Sequence, residues 1–257
     1  MSTPTLHKGP TVPPGAPDRF GRLPLRAELL LLAHDDDTGR PHLHDQVLAV
    51  GLAGAILLDL WLADRLAVGW SINPGTGRWI PAPGRLTMVA GEPAGDPLSR
   101  AACALVARLA GTKGGGDQLR WWLRTFAAGD LPGRVRADLL AVGVLRRAGG
   151  SRYAGLVRTD THLATHPCWA VRARGQIRQA VHDLEHPGRG DRPDDQCAAL
   201  CGLVQVLGLT SMLYINHPTG HLDRQLGRLA TWRHQTIRDV IVAVDAARGD
   251  LAVAAMR

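Results

Sequence analysis

Lysine is nearly absent from this 257-residue sequence: of 30 Lys and Arg residues, only Lys8 and Lys113 are lysine. The net charge of +7 and the pI near 10.0 are therefore carried by arginine. The arginine bias suggests a GC-rich genome. A basic chain favours anionic partners, either nucleic acid or an acidic membrane surface. The plainer alternative is a solvated arginine surface. A long hydrophobic run is also missing. The uncharged stretch Val47–Leu58 is interrupted by Asp59. A bilayer span needs about 20 apolar residues, so this shorter run reads as a buried core helix. With a mean hydropathy of −0.05, a soluble chain is expected. Residues 1–20 lack an apolar h-region and do not read as a secretory signal. Their Pro, Thr and Gly content predicts a disordered tail ahead of one helical domain over residues 21–257.

Motifs that would mark an enzyme or a metal site are scarce. No C-x-x-C pair occurs. Cys103, Cys168, Cys197 and Cys201 read as reduced core thiols, the last two on one helical face. There is no G-x-S-x-G nucleophile elbow. In Gly111-Thr112-Lys113-Gly114-Gly115-Gly116 the lysine precedes the glycines, so the segment reads as a linker rather than a phosphate loop. Asp35-Asp36-Asp37 lacks the alternating ligands and final Glu of an EF-hand. His182-Asp183-Leu184-Glu185-His186 fits H-x-x-E-H, a zinc-hydrolase pattern through His182, Glu185 and His186. Pro187-Gly188 ends that helix at once and no third ligand is evident, so a solvated helix end is the reading adopted. The pairs His162/His166 and His217/His221 and the cluster His42-Leu43-His44-Asp45 are spacings that eleven histidines produce by chance. No cofactor, metal or catalytic residue is assigned.

What is present is organised around Leu23–Val68. A short apolar helix, Leu25–His34, carries Leu29-Leu30-Leu31-Leu32 and is stopped by Asp35-Asp36-Asp37-Thr38-Gly39. The long helix His44–Asp64 follows, apolar on nearly every side from Val47 to Leu58. Gly51 and Gly54 on it suggest close approach by another backbone. Further helices are predicted at Leu98–Ala110, Leu119–Ala127, Arg134–Val144, Cys168–Leu184, Gln196–Leu207, Leu222–Arg233 and Thr236–Ala247. Asp194 or Asp195 is positioned to cap the helix at Gln196. A strand pair is expected around Asn73-Pro74-Gly75-Thr76-Gly77, with Pro81 and Pro83 keeping the link irregular. A second hairpin, Arg146–Val157, is expected to turn at Gly149-Gly150, with Thr161–Pro167 as a connector. A helix followed by a hairpin thus appears twice. The fold class is mainly α: a single helical domain around a central hydrophobic helix, with short β-hairpins.

The opening block resembles the signature of the Golgi phosphoprotein 3 family, whose bacterial members occur mainly in actinobacteria. The resemblance lies in Leu25–Leu32, Asp35–Gly39, Gly51–Leu60 and Ala63-Asp64-Arg65-Leu66. Gly143-Val144-Leu145 with its hairpin, Gln118–Leu123 and Thr165-His166-Pro167 extend it. It implies a mostly α-helical domain without catalysis. Eukaryotic members bind phosphatidylinositol 4-phosphate on Golgi membranes and the tails of glycosyltransferases. Their head-group Trp falls at His44 here and their first Arg at Ala53; by ungapped count the remaining arginines fall at Gly129 and Pro132, near Arg134 and Arg136. Head-group binding is therefore assigned to His44, Arg134 and Arg136, with arginine suited to phosphate by its paired donors. The hairpin residues Arg146, Arg147, Arg152 and Tyr153 fit either a membrane contact or a dimer contact. The expected function is a peripheral adaptor for anionic lipid and membrane-protein tails, cytoplasmic and reversibly membrane-associated, on the cytosolic Golgi face in a eukaryote. Two rivals are a nucleic-acid-binding protein, with Arg134–Val157 patterned like a winged helix, and the zinc hydrolase above. The lack of a compact three-helix unit before that hairpin weighs against nucleic acid.

Overall fold

Helix α2 (Asp45–Leu62) is the axis on which the other elements pack. His44 caps it, its Nδ1 accepting from the Gln46 amide at 3.3 Å. From Leu48 to Leu58 every residue is buried. Helices α1 (Leu25–Leu32), α4 (Leu119–Ala127), α5 (Leu131–Ala141), α7 (Asp195–Val206) and α9 (Gln235–Ala255) surround it. Length and composition alone would let α2 cross a bilayer; its burial among these helices makes it a core helix. In this computed structural model the described residues are 21–91, 95–110, 118–148, 152–153, 157–158, 161–186, 193–215 and 218–255. The predicted tail over residues 1–20 and the glycine segment 111–116 lie outside them.

The glycines of α2 receive side chains rather than a backbone. A Cβ on Gly51 would lie 2.6 Å from Leu207 Cδ1, and one on Gly54 would lie 2.6 Å from Val244 Cγ2. The α1–α2 turn is built by its acids. Asp35 accepts from the Thr38 amide and hydroxyl at 2.8 and 2.7 Å. Asp36 takes a bidentate pair from Arg174 of α6 (Cys168–Glu185) at 2.6 and 3.0 Å. Gly39, at φ 66°, passes so close to His162 that a Cβ would meet its carbonyl oxygen at 2.5 Å, so only glycine fits.

Two antiparallel ribbons follow helices, as the sequence pattern predicts. Strand β1 (Leu66–Ile72) pairs with β2 (Trp79–Met88) directly after α2. Pro81 and Pro83 lie inside β2 and do not interrupt it. A two-stranded ribbon leaves one edge of each strand unpaired, and two prolines two residues apart place their missing donors along one edge. After α5, strand β3 (Leu145–Ala148) pairs with β6 (Thr161–Ala164), so the predicted connector Thr161–Pro167 begins as a strand. The pair β4 (Arg152–Tyr153) and β5 (Val157–Arg158) is nested between them in sequence. Arg146 and Arg147 therefore oppose Leu163 and His162, not the residues just after Gly149-Gly150. Those glycines and the side chains of Arg152 and Tyr153 lie outside the described residues.

The remaining helices are α3 (Pro97–Leu109) and α8 (Thr219–Arg233), with a 3-10 turn at Thr210–Leu213. Helix α5 starts three residues before the predicted Arg134. Asp130 caps it through the Gly133 amide at 2.8 Å, and Pro132 in the first turn costs no helical hydrogen bond. Asp194 caps α7 through the Cys197 amide at 2.7 Å. Helix α9 runs unbroken through Arg248-Gly249-Asp250. All four cysteines are free thiols, and Cys197 and Cys201 are buried.

Candidate functional site

Two open clefts flank the α4–α5 connection, and they differ in charge. The first, about 420 Å³, lies between α3, α4 and α5. Ile56, Leu98, Leu105, Phe126 and Leu131 give it apolar walls, with Arg108 and Arg134 beside them. Both arginines are exposed, and neither guanidinium has a hydrogen-bond or ion-pair partner among the described residues. Among the described residues, no carboxylate lines this cleft. Its volume falls within the roughly 300–1,000 Å³ of small-molecule sites. Helical spacing builds it: Ala101, Ala104, Leu105 and Arg108 recur at i, i+3, i+4 and i+7 on α3, and the alanines leave a hollow.

The second cleft, about 440 Å³, is lined by Asp45, Gln46 and Ala49 of α2, by Arg124 and Ala127–Asp130, and by Pro132. It gathers the positions that the family resemblance marks. Gly129 and Pro132 line it, His44 directly precedes Asp45, and Ala53 is buried one turn beyond Ala49. Those positions carry no arginine here. Asp45 and Asp130 stand among them, and Arg124 is engaged by Asp250 at 2.5 Å. This cleft is thus less suited to an anion than its neighbour.

The three head-group residues assigned from sequence do not share a cavity. Arg134 lines the first cleft, and His44 caps α2 near the second. Arg136, two residues from Arg134, points to a different side of α5, because that spacing is about 200° of helical rotation. It lines a hollow of about 30 Å³ with His34, Asp35, Asp36 and His162, room for about one water. Burial pushes the His34 imidazole below its usual range, and Arg136 adds to that shift. Arg108 is the residue that sequence reasoning missed; the alanine spacing ahead of it was the available signal.

A second charge cluster is structural. Arg26, buried in α1, reaches Asp59 and Asp96, each at 2.8 Å. Asp59 also accepts from the Leu25 amide at 2.7 Å, capping α1 from within α2. Burial drives the Asp59 carboxyl up against the opposing pull of Arg26. Nearby, burial lifts the Glu28 carboxyl to about 7, against the opposing charge of Arg22 and a hydrogen bond from Gln196. On and beside α6, the His182 and His186 rings lie tilted with centroids 4.4 Å apart, and His221 meets Glu185 at 3.0 Å. Among the described residues, no three His, Cys, Asp or Glu side chains converge as metal ligands.

A mainly α domain with an axial apolar helix, two helix–ribbon units and an arginine-bearing cleft is the class of protein these features define. The sequence profile of Golgi phosphoprotein 3 (GPP34) matches residues 25–244. The chain belongs to the Golgi phosphoprotein 3 family. No curated protein matches the sequence.

Proposed function

We propose that this protein is a non-enzymatic peripheral adaptor that docks reversibly on anionic membrane surfaces and gathers membrane-protein tails there. It would work from the cytoplasm, or from the cytosolic face of the Golgi in a eukaryote. The observation that carries the reading is the cleft with Arg108 and Arg134 over apolar walls and no carboxylate among its described lining residues. An anionic amphiphile matches both halves: a phosphate accepts paired, charge-assisted hydrogen bonds from guanidinium groups, and the acyl or glycerol portion suits the walls. Basic residues near an anionic leaflet contribute about 1 kcal/mol each. The net charge of +7 adds long-range attraction. Phosphatidylinositol 4-phosphate is one candidate head group, implied by the family; the two arginines themselves require only an anion.

Vesicle flotation tests the reading. Wild type should float with phosphatidylcholine vesicles containing phosphatidylglycerol or phosphatidylinositol 4-phosphate, and not with phosphatidylcholine alone. The double variant Arg108→Ala/Arg134→Ala should bind roughly thirtyfold more weakly. The charge-matched control Arg224→Ala/Arg238→Ala, on α8 and α9, should lose much less. Equal loss in the two variants would reduce the site to net charge and remove the cleft from the proposal.

A further inference from the structure

The β1–β2 ribbon ends in a cluster of large apolar side chains that no part of the described structure covers. Trp70, Ile72, Trp79 and Ile80 are each between 40% and 45% exposed. Residues directly opposite in an antiparallel pair share a face, and here Trp70 opposes Pro81 and Ile72 opposes Trp79. Trp70, Ile72, Trp79 and Pro81 therefore form one apolar face at the free end. A register shift between Val68 and Trp70, where Gly69 takes φ 76°, separates this tip from a root that buries Leu66, Val68 and Leu86. The root is held by the core and the tip projects.

We infer that this tip is a shallow membrane-inserting element that seats at the head-group boundary of an anionic bilayer. The inference rests on the surface-docking reading above and supplies its apolar component. Three observations select lipid as the occupant. First, the charge is complementary: from Arg65 to Gly91 the sequence contains Arg65, Arg78 and Arg85 and no acidic residue. Second, the turn is already satisfied internally. Asn73 Oδ1 accepts from the Gly75 amide at 2.9 Å and from the Thr76 amide at 3.3 Å. The Gly77 amide donates to the Asn73 carbonyl at 2.8 Å, and the Arg78 amide to Thr76 Oγ1 at 3.4 Å. Leaving water thus strands no backbone N–H of the turn, and stranded backbone donors are the main cost of putting irregular backbone near lipid. Third, Pro81 and Pro83 cannot donate a backbone hydrogen bond, which blunts the free edge of β2 against strand addition by a protein partner. Tryptophan suits the boundary because its ring is apolar and its indole N–H stays hydrogen-bonded to head groups or water.

The test uses the full chain and vesicles of phosphatidylcholine with and without phosphatidylglycerol, some with acyl-chain-brominated lipid. Wild-type tryptophan fluorescence should be quenched by the brominated lipid. The Trp70→Phe/Trp79→Phe variant should still bind but lose most of the quenching. The Ile72→Asp/Ile80→Asp variant, checked for unchanged circular dichroism, should bind roughly tenfold more weakly or less. Charge-dependent binding by wild type, with no quenching and full binding by Ile72→Asp/Ile80→Asp, overturns the insertion and leaves the docking reading standing. Quenching on neutral and anionic vesicles alike keeps the insertion and removes the charge-based reading. If wild type sediments as an oligomer that Ile72→Asp/Ile80→Asp dissociates, while vesicle binding is unchanged, the tip is a contact between copies and the inference fails.

Discussion

Single residues here are tuned by burial more than by pairing. Glu28 shows this: it is 3% exposed in α1, its carboxyl lifted to about 7 from the ordinary 4.5. An acid whose folded value lies above its unfolded value binds an extra proton when folded. Its contribution is therefore fully present below about pH 4.5 and is lost as pH rises through 7. Glu28→Gln should remove that slope. Thermal unfolding of the two proteins should diverge progressively between pH 4.5 and 7, the variant becoming more stable by ~1–3 kcal/mol at the upper end. A constant offset across that range would show that Glu28 is not the titrating group. The Arg26–Asp59–Asp96 cluster sets the two effects against each other: burial raises the Asp59 carboxyl while contact with Arg26 opposes that shift. Composition gave no notice of it, since Arg26 sits in a leucine-rich helix and its partners lie on other elements.

At the scale of elements, α2 is a post whose surface has been cut to fit its neighbours. Gly54 receives Val244, a β-branched side chain with little room to turn, whereas Gly51 receives the more adaptable Leu207. Gly54→Val should lower stability by about 1–3 kcal/mol, despite the gain in helix propensity, and Gly51→Ala by less. Urea unfolding midpoints check both; a Gly54→Val protein as stable as wild type would mean that the α2–α9 contact is loose. The caps by Asp96, Asp130 and Asp194 were readable in principle because a cap involves residues a few positions apart. Strand pairing was less readable. The Gly149-Gly150 signal suggested a local hairpin, while β3 pairs with β6, because strand partners are chosen by hydrogen bonding between distant segments.

For the whole molecule, the balance between charge and apolar contact makes a measurable distinction. Screening at about 0.1 M salt already limits charge–charge attraction to about 10 Å. Raising salt to about 0.5 M should weaken vesicle binding severalfold and leave a residual, salt-insensitive fraction from the β1–β2 tip. Flotation across a salt series measures both parts, and complete loss at high salt would argue for charge alone. The predominance of helix, the axial post, the acidic turn and the repeated helix–ribbon order were all legible from the chain, because each depends on side-chain chemistry within a few turns of helix or a short run of strand. The site was legible only in part. Arg134 was anticipated, but its cavity partner is Arg108 rather than His44 or Arg136, and the exposed tryptophan tip passed unnoticed. Which arginines line a common hollow, and which apolar residues are left uncovered, are fixed by distances between segments remote in sequence. Those distances exist only once α3, α4 and α5 have packed around α2.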